Sequence, residues 1–97
     1  MERPELLKSL LALAREAGLE VRSASGDEDP PPRSGLCRVR DGVWVVLVQQ
    51  EPLEDRIEVV ARALGEHAAG FLAAHYLPPA VRDRIEEAVG GHPGGSR

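Results

Sequence analysis

Apolar residues recur with a helical period at both ends of this chain and with a period of two between them. Leu6, Leu10, Leu13 and Ala17 fall on one side of a helix. Leu7, Leu11 and Ala14 lie beside them, and Lys8, Arg15 and Glu16 stay outside the apolar arc. Pro4 suits the first turn, Glu5 the positive end of the helix dipole, and Gly18 the residue that stops the helix. Leu19-Glu20-Val21-Arg22 then alternates as a short strand with Leu19 and Val21 inward.

A second alternating region reads as a hairpin. Leu36-Cys37-Arg38-Val39-Arg40 and Val43-Trp44-Val45-Val46-Leu47-Val48 flank Asp41-Gly42, a dipeptide suited to a type I′ turn. That turn pairs Arg40 with Val43, Val39 with Trp44, Arg38 with Val45 and Cys37 with Val46. Cys37, Val39, Trp44, Val46 and Val48 then share an apolar face, expected to be the buried one. The opposite face sets Arg38 and Arg40 against Val43, Val45 and Leu47. A strand apolar on both sides belongs in the middle of a sheet, whereas one with an arginine face tolerates an edge. The expected order therefore has 43–48 central, with 36–40 and 19–22 at the edges.

The second half is helical. After Pro52, the residues Leu53, Ile57, Val60, Leu64, Ala68, Phe71, Leu72 and His75 form one stripe, with Glu58, Arg62 and Glu66 paired on the wet side. Gly65 and Gly70 weaken this helix and predict a bend or break near 65–70. Tyr76-Leu77-Pro78-Pro79 ends it. A last helix presents Val81, Ile85, Ala88 and Val89 on one face before Gly90. The fold class expected is α+β: a small α-β-β-β-α-α domain with a three-stranded, mostly antiparallel sheet packed by helices. It spans 1–89 as a single domain, with a flexible loop at 23–34 and a disordered tail at 90–97, both poor in residues to bury and rich in Pro, Gly or charge.

Composition changes this picture in a few places. The 97 residues carry Lys+Arg 12 and Asp+Glu 16, a formal charge of −4, with only three aromatics, Trp44, Phe71 and Tyr76. An acidic chain with little to stack bases on is no obvious nucleic-acid binder. One cysteine excludes an internal disulfide framework. No apolar run approaches the ~18 residues of a membrane span. The opening Met1-Glu2-Arg3-Pro4-Glu5 lacks the basic region and the cleavage pattern of a signal peptide, so a cytoplasmic chain is expected.

Candidate chemistry is sparse. Cys37 beside Arg38 suits a lowered thiol pKa, but its expected place on a buried sheet face makes it a small hydrophobe. The metal question turns on Glu66, His67 and His75. The two histidines are eight apart and do not share a helix face unless the helix breaks, and H-E-x-x-H is absent. The glycine pairs at 90–91 and 94–95 follow a helix and do not precede one, so they form no phosphate cradle. No Ser-His-Asp pattern appears. Neither a cofactor nor a catalytic set is expected.

The run Gly35-Leu36-Cys37-Arg38-Val39-Arg40, the hydrophobic strand after it, the acidic start of the next helix and Tyr76-Leu77-Pro78-Pro79-Ala80-Val81-Arg82 together resemble a group of short, uncharacterised bacterial proteins. The likeness covers about three quarters of the chain and implies no activity. Frequent Ala, Arg and Gly with a single lysine also resembles high-GC bacterial usage. A weaker likeness is to the ImmA/IrrE-type minimal zincins, which run from a helix through a short sheet to a helix carrying A-H-E-x-G-H. Here Ala61-Arg62-Ala63-Leu64-Gly65-Glu66 has Arg62 for the first histidine, Ala63 for the catalytic glutamate and Glu66 for the second histidine. That likeness implies a relative without the metal or the peptidase activity.

The leading expectation is a non-enzymatic interaction module, an adaptor or regulator that binds another protein or itself. The expected contacts are Arg38, Arg40, Val43, Val45 and Leu47, provided no helix covers that face; helices on both faces of the sheet would hide the valines. The alternative expectation is a small metal-dependent hydrolase, or degenerate metallopeptidase relative, using Glu66, His67 and His75.

Overall fold

The computed structural model describes residues 1–25, 33–40 and 42–90. The first helix, α1, is Arg3–Glu16, and its ends follow local chemistry. Glu5 reaches back to the main-chain N–H of Glu2 at 3.4 Å in a capping box. At the other end the N–H of Gly18 donates to Arg15 O at 3.1 Å, and that of Leu19 to Ala14 O at 2.9 Å. This double closure needs a left-handed residue at position 18, where glycine has a φ of 90°.

Three strands follow: β1 (Glu20–Ala24), β2 (Gly35–Val39) and β3 (Gly42–Val48). The sheet order is β1-β3-β2, with β3 in the middle as its apolar composition predicts. One of its two pairings is antiparallel, β2 with β3, and the other, β1 with β3, is parallel. Ser23 and Ala24, assigned from sequence to the loop, belong to β1, where Ala24 pairs with Val48. Residues 26–32 of the expected loop and 91–97 of the expected tail lie outside the described residues, whereas Gly90, expected in the tail, ends the last helix.

The hairpin register differs from the expected one by two residues. It closes on Val39 with Gly42, and pairs Arg38 with Val43, Cys37 with Trp44 and Leu36 with Val45. A slip of two preserves which residues share a face, because side chains alternate with period two.

The helical half consists of α2 (Leu53–His67), the short α3 (Ala69–Ala73) and α4 (Pro79–Gly90). The break falls at Ala68, whose φ of −136° leaves the helical region, within the span weakened by Gly65 and Gly70. The core joins Leu6, Leu10 and Ala14 of α1 to Ile57, Val60 and Leu64 of α2, to Val81, Ile85 and Ala88 of α4, and to Val45 and Leu47 of β3. α1 and α2 pack on one face of the sheet, and α4 packs against these two helices and not on the strands. Among the described residues no helix is long and apolar enough to cross a membrane.

Candidate interaction surface

The face of β3 that meets the helices is the Val43, Val45 and Leu47 side, whose covering the sequence left open. Val45 is fully buried and Leu47 is 3% exposed, both within the helix-packed core. They are therefore unavailable as partner contacts, a correction to the expected set. Val43, at the start of the strand, is half-buried. Arg38 and Arg40 are exposed, as a contact role requires.

The opposite face, expected to be core, is outward from Cys37 to Val46, while Val48 at its end is buried as expected. Cys37 on β2 is exposed, and Val39, Trp44 and Val46 are only partly covered. The β1 residues on this side explain why. Glu20 pairs with Trp44 and Arg22 with Val46, so the charged positions of β1 share the Trp44 face, while Val21 pairs with Val45 on the helix side. Burying that face would bury both charges, which is costly. Leu19 and Val21 are recognisable from sequence as inward residues. What the sequence does not contain is the parallel β1–β3 register that links their side to Val45 and Leu47.

Arg22 connects these residues. Its guanidinium lies 4.2 Å from the Trp44 ring centroid and pairs with Glu20 at 2.8 Å. The indole thus has a cation on its face in place of a core neighbour, a stabilising arrangement at a wet surface. Sequence reasoning missed Arg22 as part of this surface.

Among the described residues β2 is also an open edge. In the ladder, Val48 N–H points toward the β2 side and donates to Ser34 Oγ at 2.8 Å, whereas Gln49 N–H donates to Ala24 O of β1 at 3.2 Å. Continuing that alternation, the main-chain groups of Gly35, Cys37 and Val39 face β3. Those of Leu36 and Arg38 point away from the sheet. No described element covers them. Ser34 anchors the start of the strand, donating its N–H to Glu51 Oε1 at 3.2 Å.

Charge is distributed unevenly around this edge. Arg3, Arg22, Arg62 and Arg84 each have a carboxylate partner. Arg38 and Arg40 have none among the described residues. Arg33, near the start of β2, shares a shallow depression with Glu51 and Asp55.

The residues of the alternative expectation do not converge. His75 stacks on Phe71 with ring centroids 4.0 Å apart, and its Nδ1 lies 2.7 Å from Phe71 O. His67 ends α2, and Glu66 lies 3.7 Å from Arg62. Among the described residues no group of three His, Cys, Asp or Glu side chains could hold a metal ion. A cleft of about 270 Å³ between α2, α3 and α4 is lined mainly by Leu72, Leu77, Ile85 and Val89 and carries no acid–base pair of its own beyond Arg82 and Glu86 at its rim.

Comparison of the chain with protein-family models, with curated proteins and with solved structures returned no match.

Proposed function

We propose that this chain is a non-enzymatic protein–protein interaction module, a small cytoplasmic adaptor or regulator. It engages its partner through the β2 edge and the adjoining Trp44 face of the sheet. The observation that carries this reading is the β2 edge, left open among the described residues, where Arg38 and Arg40 stand without carboxylate partners among those residues on a chain of net charge −4. Arg3, Arg22, Arg62 and Arg84 are satisfied by carboxylates of the chain itself, whereas the two guanidinium groups at this edge are left for an external group. A row of outward main-chain groups beside them adds a directional means of recognition.

Self-association through this edge is the less favourable form of the idea. Pairing two β2 strands would bring Arg38 and Arg40 of both copies along one seam, and like charges facing each other across a strand pair are destabilising.

Affinity capture from a cell extract with the wild-type chain and with an Arg38→Glu/Arg40→Glu variant tests the reading. The expected result is a protein retained by the wild type and lost by the variant, with unchanged circular dichroism for both. Equal retention by the two, or no retained protein and a monomer in sedimentation, would overturn it.

A further inference from the structure

We infer that the β2 edge takes an extended acidic segment of a partner protein as a fourth strand; this rests on the interaction reading above and names its ligand. Two independent features converge on this edge. The first is main-chain geometry: the N–H and C=O groups of Leu36 and Arg38 point outward, two residues apart, the repeat that an added strand satisfies. The second is charge: Arg38 lies within β2 and Arg40 just beyond it, both exposed and both without a carboxylate partner among the described residues. The opposite edge offers the first feature without the second, since Arg22 of β1 is already engaged by Glu20 and Trp44.

The alternation of the sheet specifies the segment further. Leu36 and Arg38 pair with Val45 and Val43 and share the helix side, while Cys37 and Val39 share the Trp44 side. A strand added beside β2 therefore places every second side chain near Arg38 and the intervening ones beside Cys37 and Val39. Carboxylates at positions i and i+2 answer Arg38 and Arg40. Apolar side chains between them extend the half-covered surface of Val39 and Trp44. The fitting ligand alternates acidic and apolar residues and contains no proline where its own N–H must donate.

The test uses the full chain, ¹⁵N-labelled, with a blocked heptapeptide of alternating Glu and Val at pH 7. Lys/Val and centrally proline-substituted versions serve as comparisons. The expected result is slowed amide exchange at Leu36 and Arg38 on adding the Glu/Val peptide. Binding should be at least tenfold weaker for the Lys/Val and proline peptides and for the Arg38→Glu variant. Binding should also fall as salt rises. Equal binding of the Lys/Val peptide, shifts confined to the Trp44 face without amide protection at β2, or no binding at millimolar peptide would each overturn strand addition. Protection at Leu36 and Arg38 that grows with protein concentration alone would overturn it in favour of a second copy. A captured protein that depends on Arg38 and Arg40 yet leaves those amides unprotected would sink the strand and leave the interaction reading standing.

Discussion

Arg84 of α4 donates a 2.7 Å hydrogen bond to Glu58 of α2, a contact between residues 26 apart that ties the two helices together beyond their apolar packing. Arg62 donates to the other oxygen of the same carboxylate at 2.8 Å, and Arg84 also approaches Glu87 at 3.2 Å. Partial burial opposes ionisation of Glu58, but the hydrogen bonds from Arg84 and Arg62 outweigh it and hold the carboxyl below its ordinary value.

The contact makes stability pH-dependent in a defined direction. A depressed carboxyl contributes stability that is fully present above its unfolded pKa, near 4.5, and is lost as pH falls through the lower folded value. Glu58→Gln is expected to lower stability at pH 7 by about 1 kcal/mol, a modest figure because the pair is partly solvated. In acid the wild type and the variant should converge. Urea unfolding at pH 7 and pH 3 measures this; a gap that persists undiminished at pH 3 contradicts it.

α4 packs closely against α2 at Gly65. A Cβ there would stand 2.5 Å from Val89 Cγ1 and 3.3 Å from Ile85 Cγ2. Replacing glycine by alanine inside a helix ordinarily stabilises by about 1 kcal/mol. Here the valine side chain, stiff at χ1, has to give way. Gly65→Ala is expected to destabilise by about 1–2 kcal/mol. In a Val89→Ala background the same change should be neutral or stabilising, so a double-mutant cycle in urea decides it.

Mutational cost should follow the face assignment of β3. Leu47→Ala empties a core position and is expected to cost about 3 kcal/mol, whereas Val46→Ala, on the outward face, should cost less than about 1 kcal/mol. For a domain of this size about 1 kcal/mol moves the melting temperature by roughly 4–8 °C, so calorimetry resolves the two. The reverse ranking would mean that the Trp44 side is the packed one.

Cys37 provides a chemical check on the same assignment. Because its side chain is exposed, a thiol reagent such as dithionitrobenzoate should modify the native protein stoichiometrically, at the same rate with and without denaturant within a few-fold. Protection that disappears only on unfolding would contradict the exposed position.

These assignments show where sequence reasoning succeeds and where it stops. The period of α1 and the α2 stripe, the central place of β3 and the weakness near Gly65 and Gly70 are all local properties, and each is readable from a few neighbouring residues. Gly18 stops α1 because only the residues around it need the left-handed turn. The two-residue slip of the hairpin was hidden because Asp41-Gly42 favours one closure while Val39 and Gly42 make another, and both keep the same faces.

Which face of β3 is buried could not be read from β3 itself, where Trp44, Val46 and Val48 rival Val43, Val45 and Leu47 in hydrophobicity. Sequence by itself determined that both faces are apolar, that the strand lies between two others, and that Arg38 and Arg40 border it. Only the tertiary structure decided the side. Parallel pairing of β1 with β3 puts Glu20 and Arg22 beside Trp44, and charges left there hold that face to water. The helices packed on the sheet then have to cover Val45 and Leu47. The open β2 edge is a consequence of the same non-local pairing, since β1 occupies the other side of β3.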